Sequence, residues 1–143
     1  MNSFEAQLLT PEGSLFSGDV TGVQVPGTMG SFEIKTLHAD IISSLEVGRI
    51  LIRRPGGEDL YFAVSGGFVE MHDNVLTLLA EAAELVEEID VERAEAAKER
   101  ARERLEADDK EIDKDIDKER ARKALQRAEN RIKLAADFTV TTR

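Results

Sequence analysis

The sequence predicts an α+β protein: an N-terminal β-sandwich, or flattened barrel, followed by a C-terminal antiparallel two-helix hairpin. Three observations predict it. All ten glycines and all three prolines fall at or before residue 67, and these residues punctuate turns and break helices. Up to that boundary, short β-prone runs are separated by turn signals. Beyond it, apolar residues recur at intervals of three and four. The expected limits are a sandwich over 1–84, a linker over 85–89 and a helical hairpin over 90–143.

In the first half, "FEAQLL", "VTGVQVP", "ILIRR", "LYFAVS", "GFVEM" and "NVLTLLA" read as strands. The segments "PEG", "PGTMG", "PGGED", "SGG" and "HDN" read as the turns between them. Many short strands at this spacing indicate a sandwich or a flattened barrel. The expected core is Phe4, Leu8, Val23, Val25, Ile50, Ile52, Phe62, Val64, Phe68 and Val75.

In the second half, Ala94, Ala97, Ala101 and Leu105 share one helical face, and Ala121, Leu125, Ala128, Ile132 and Ala135 share another. Asp90 stands where an N-cap is needed. Arg93 occupies the position at which a capping box would place Glu, so the box is absent. Folding the helices back pairs Ala94 with Ile132, Ala101 with Leu125 and Leu105 with Ala121 about one centre near Asp113. Ile112 and Ile116 are placed to close that tip. An alanine seam lets helices approach closely but buries little apolar area, at ~0.8 kcal/mol per methylene. A weakly held, movable hairpin and a permanently closed one both fit this pattern.

The chain has 143 residues, 41% apolar and 34% charged, with a net charge of −10 and no cysteine. Disulfides, thiol nucleophiles and thiolate metal sites are therefore excluded, and the composition suits a reducing compartment. The opening "MNSFEAQLLTPEG" lacks the pattern of a secretory signal, and no run is long and apolar enough to span a bilayer. The acidic balance argues against nucleic acid as a partner. Charge is unevenly divided: residues 1–88 hold 14 acidic and 4 basic side chains, and residues 89–143 hold 15 of each. The last helix is a cationic rod suited to an acidic surface.

Arg93, Arg100, Arg127 and Arg131 each stand one residue before a seam position, namely Ala94, Ala101, Ala128 and Ile132. In an antiparallel pair these flanks meet along one edge. Either carboxylates such as Glu99, Glu103 and Glu129 neutralise that edge, or its guanidinium forks converge on phosphates. Glu84 and Asp90, on the approach to the first helix, would orient the arginines or contact a base or sugar. No phosphate-loop or dinucleotide fingerprint is present. A calcium loop starting at Asp113 would carry Lys118 and Ala124 at positions needing glycine and glutamate. His38 and His72 lack metal-ligand spacing. No nucleophile or acid–base pair is visible, so the chain is not expected to be an enzyme by itself.

With these residues in view, the chain resembles the epsilon subunit of the rotary F-type ATP synthase, of the bacterial type that carries an ATP-binding motif. The match runs through "MNSFEAQLLTPEGSLFSGDVTGVQVPGTMG", "SGGFVEM", "NVLTLLAEAAE", "IDVERAEAAKERARERL" and "ALQRAENRI". The resemblance implies a non-catalytic central-stalk subunit of a proton-translocating synthase, peripheral at the cytoplasmic face of the bacterial cell membrane. Its implied partners are the gamma subunit, the membrane c-ring and, in an inhibited state, the catalytic alpha and beta subunits. Membrane contact would come only through the complex.

The "I-D-x-x-R-A" motif of that family appears as Ile89, Asp90, Arg93 and Ala94, with accompanying matches at Glu84, Arg100, Arg127 and Arg131. The implied ligand is ATP, regulatory rather than a required cofactor, with or without magnesium. The ring-facing loops would include Gly27 to Asp40, with Gly30, Ser31 and His38 as contacts. There the family's Leu-Pro-Gly-His-Ala-Pro run is replaced by "TLHAD". A stand-alone β-domain adaptor, with a helical arm that binds another helical protein, is the alternative.

Overall fold

The computed structural model describes residues 2–107 and 114–141, with side chains over 2–107 and 117–139. It divides into two units, Met1–Leu85 and Val86–Arg143. The first holds β1 (Phe4–Thr10), β2 (Gly13–Val20), β3 (Gly22–Gly27), β4 (Gly30–Lys35), β5 (Ile41–Arg53), β6 (Leu60–His72), β7 (Val75–Ala80) and β8 (Ala83–Leu85). Their order is β2-β1-β7-β6-β5-β3-β4, with β8 added on β6. All pairings are antiparallel except β1 with β7. The sheet does not close.

The two 13-residue strands, β5 and β6, make this sheet a sandwich. Over Gly67–His72, β6 pairs with β7; over Phe62–Val64 it pairs with β8. β5 pairs with β6 along Ile41–Ile52 and with β3 at Leu51–Arg53 and, past a register shift, at Leu45. β6 thus serves one layer with its first half and the other with its second.

A strand presents alternate side chains to alternate faces, so changing layers requires a change of phase. β6 buries Phe62 and Val64 before the crossing, then Val69 and Met71 after it. β5 switches likewise, from Leu45 to Ile50 and Ile52. In β6 the change occurs at Ser65–Gly67, where Gly66 and Gly67 take φ of 100° and 133°. These three residues were expected to form a turn. They form a kink inside one strand, because a glycine pair lets the ladder bend without ending it. "LYFAVS" and "GFVEM" are therefore a single element.

Two core assignments are corrected, the first by this shift. Phe68 falls on the outer face and is 58% exposed. Val75 is half-buried. The other eight expected core residues are buried, together with Ala6, Val20, Ile34, Met71, Leu76 and Leu78 among others. β2, β4, β8 and the first half of β5 were not anticipated.

The second unit begins with a single 3-10 turn (Val86–Glu88), followed by α1 (Val91–Glu106) and α2 (Lys114–Thr141). Asp90 caps α1: its side chain accepts the Arg93 N–H at 3.1 Å. α1 and α2 pack on each other, and α2 also reaches the turn before α1, so it runs back along the first helix. Ala94 and Ala101 are buried on one side of the seam, Ala121 and Ala128 on the other. Ala97, Leu105, Leu125, Ile132 and Ala135 are half-buried, completing the expected stripe. Leu134 is buried as well and was not anticipated. The expected fold-back point near Asp113, with Ile112, lies outside the described residues, as does the side chain of Ile116.

Candidate functional site

The seam fixes where the arginines stand. Arg93, Arg100 and Arg127 directly precede the buried Ala94, Ala101 and Ala128, and all three are exposed. Arg131, one helical turn after Arg127 and beside Ile132, is half-buried and has contacts of its own. On this register the four occupy the same flank of each helix.

Among the described residues, local ion pairs do not neutralise Arg93, Arg100 or Arg127 on this flank. Glu99 pairs with Arg102 at 3.8 Å, on the opposite face of α1, and Glu119 with Arg122 at 3.1 Å. Among the described residues, Arg93, Arg100 and Arg127 have no ion pair. Arg104, four residues after Arg100, and Arg120, seven before Arg127, extend the edge and share that property. The helical spacing that found the first four would also have found these two.

A polyanion with several oxygens, such as a chain of phosphates, is the ligand class that suits such an edge. Planar forks bind phosphate bidentately, and cations held on two helices repel one another until an anion intervenes. Ile89 is half-buried, and its N–H donates to Val86 O at 3.2 Å, shaping the approach to α1. Glu84 belongs to the first unit; it sits in β8 opposite Ala63, half-buried and with contacts of its own.

The sandwich offers a second candidate surface, which the strand patterns did not reveal. Leu9, Leu79 and Phe68 are successive cross-strand partners on β1, β7 and β6. Ile42, two residues from Phe68's partner Ser44 on β5, is 76% exposed, and Leu15 on β2 is 44% exposed. These five side chains form an apolar band across the outer face of one layer. Strict alternation on β1 and β7 would have found Leu9 and Leu79. Leu15 and Ile42 lie in strands that the sequence concealed.

Of the expected ring contacts, Gly30 pairs with Gly27 and Ser31 with Pro26 at the start of β4. Between Gly27 and Gly30 the chain turns, and Met29 is 99% exposed. His38 follows the other end of β4, its Nδ1 facing Ala39 O at 2.8 Å. Five steps of strand therefore separate the two groups, about 17 Å along β4.

Among the described residues, no group of acidic, His or Cys side chains is arranged to hold a metal. No helix there is long and apolar enough to cross a membrane.

Comparisons with known proteins agree with this division. Residues 3–86 match the family model described as the β-sandwich domain of the ATP synthase delta/epsilon chain. Residues 87–135 match that for its long α-helix domain. The chain is 45% identical over 107 residues to the ATP synthase epsilon chain of Protochlamydia amoebophila, covering 75% of this chain and 73% of that one. With the epsilon chain of Bacillus subtilis it shares 39% over 105 residues, covering 73% and 79%. In fold it is similar to a chain of the Euglena gracilis mitochondrial ATP synthase, solved as OSCP/F1/c-ring. There the TM-score is 0.77 at 21% identity, covering 91% of this chain and 79% of that one.

Proposed function

Because the chain belongs to the epsilon subunits of F-type ATP synthases, and so to the central stalk, we propose that it couples the gamma subunit to the membrane c-ring. We further propose that its helical hairpin regulates hydrolysis and binds ATP. The subunit is not itself an enzyme in this reading. It transmits rotation, and the hairpin decides how freely rotation runs in the hydrolytic direction.

The observation that carries the regulatory part is an arginine edge flanking a seam built largely of alanine, in which Arg93, Arg100 and Arg127 are exposed and without ion pairs among the described residues. The seam is thin, so pairing of α1 with α2 is held by few apolar contacts. A triphosphate gripped by Arg93, Arg100, Arg127 and Arg131 would bridge the helices and favour their paired state. Ile89, Asp90 and Ala94 would shape the start of that site. With the helices apart, α2 is a cationic rod able to engage the catalytic alpha and beta subunits. ATP shifts the balance only by its differential affinity for the paired state, and that difference sets the concentration at which inhibition is relieved.

Amide exchange tests this. Titrating ATP into the purified subunit should slow exchange across 90–107 and 114–135 while leaving the β strands unchanged. Unaltered exchange at millimolar nucleotide would remove the sensor and leave the mechanical role.

The apolar band supports the coupling part. Exposed apolar patches of this kind mark sites of protein association, and the band is offered here as the gamma-docking face. Phe68→Asp should cost about 2 kcal/mol or more of association, read as loss of the subunit from affinity-purified stalk complexes. Because Phe68 points outward, the sandwich should melt as before. Undiminished co-purification would place the docking face elsewhere.

A further inference from the structure

At one end of the sandwich, the imidazole of His72 stands between two carboxylates. Its Nδ1 is 2.9 Å from Asp40 Oδ2, and its Nε2 is 3.3 Å from Asp73 Oδ2. Asp40 belongs to the loop between β4 and β5, and Asp73 to the turn between β6 and β7. A second link joins the same two segments: the Leu37 N–H donates to Asn74 Oδ1 at 2.9 Å. Leu37, Asp73 and Asn74 all take left-handed backbone angles, with φ of 58°, 49° and 61°. They are the only positive-φ non-glycine residues among those described. Leucine rarely adopts this conformation, so the loop needs external contacts to hold it.

The number of protons decides how His72 can serve. A neutral imidazole has one N–H and one lone pair. Facing two carboxylates, it could donate to one and would present its lone pair to the other, an unfavourable contact. The imidazolium donates on both sides. Both short contacts together therefore fit the charged form, and the neutral form must release one of them.

We propose that His72, Asp40 and Asp73 form a proton-operated clasp, which fixes the Thr36–Asp40 loop to the β6–β7 turn when the imidazole is charged and frees it when the proton leaves. Among the described residues, the further charge that acts on His72 is negative. It comes from Glu70, next but one on β6 and opposite Ile42 on β5; the register partner of His72 on β7 is Val75, and Glu5 follows beyond it. His38 in the same loop turns its Nδ1 to its own chain.

The electrostatics agree in direction. The hydrogen bond to Asp40, then the charges of Asp73 and Asp40, raise His72 above the ordinary 6.5. A group raised on folding contributes fully below its unfolded value, and that contribution is lost as pH rises through the raised one. The clasp therefore opens on the alkaline side of 6.5. The loop it holds carries His38 and Ala39. That this loop faces the c-ring rests on the functional reading above; the clasp itself does not.

The test uses the whole purified subunit, following the His72 ring by NMR and the protection factor of the Leu37 amide across pH 5–9. His72 should titrate above 6.5, and Leu37 protection should fall several-fold through the same midpoint. Asp40→Asn should return the midpoint toward 6.5. His72→Lys, which keeps a cation, should make the protection independent of pH, whereas His38→Gln should leave the wild-type curve. A His72 midpoint at or below 6.5, or Leu37 protection flat through the titration, overturns the clasp. Neither result bears on membership of the stalk, which co-purification reads separately.

Discussion

Gly67→Ala is expected to destabilise the β unit by about 2–6 kcal/mol, summing backbone strain with overpacking. A Cβ on Gly67 would lie 2.0 Å from Leu79 O and 2.9 Å from Ala80 Cα. Both are main-chain atoms of the paired strand β7, so no side-chain rotation relieves the clash. Either β6 and β7 part or the kink straightens, and straightening would return Phe68 to the inside and expel Val69 and Met71.

Gly13 separates the two contributions. Its φ of 131° is nearly that of Gly67, at 133°, yet an added Cβ there meets nothing within 4 Å. Gly13→Ala should therefore show the conformational cost alone, about 1–3 kcal/mol. Urea unfolding of both variants, followed by a signal confined to the sandwich, gives the comparison. Equal losses at the two positions would mean that the close approach to β7 contributes nothing.

This kink also marks where the fold stopped being legible in the sequence. Two glycines after a serine look like a turn when only neighbours in the chain are considered. Whether the chain ends a strand or bends within it depends on β7 and β8, which take opposite halves of β6 and cannot be seen locally. Phe68 was lost for that reason: alternation predicts its side correctly only if the phase is unbroken. β2 ("GSLFSGDV") and β4 ("GSFEIK") were missed because they stand at the open ends of the sheet, where one partner and much solvent allow glycine and serine.

The helical unit was easier to read, since its periodicity depends on one partner helix and the seam alanines announce it. Leu134 escaped because it sits one position outside the stripe. The arginine edge was half legible. Spacing placed the four guanidiniums on one flank, but which of the many carboxylates around them would pair, and with which arginine, depends on rotamers as well. Glu99 turned to Arg102, away from the edge.

That choice makes the nucleotide site testable by truncation. Arg93→Ala and Arg127→Ala should each weaken ATP binding by about 1.5–3 kcal/mol, the usual worth of a hydrogen bond to a charged group. This is roughly a 10- to 150-fold rise in Kd, measured by calorimetric titration. Both side chains are exposed and without ion pairs among the described residues, so their removal leaves the alanine seam and the Asp90 cap untouched. Arg131 is a poorer test, because it is half-buried and its contacts would be lost along with any phosphate. Arg102→Ala serves as the control, since it removes equal charge from the opposite face of α1 and should leave Kd unchanged.

The double variant carries the geometric claim. If the forks of α1 and α2 grip one triphosphate, losing the first loosens the ligand before the second is removed. The combined loss should then fall short of the sum of the single losses. Strict additivity would mean two independent anion contacts, and the ligand would not then bridge the helices. Unchanged Kd in both single variants would remove ATP from this edge altogether, leaving the arginines to an acidic protein surface.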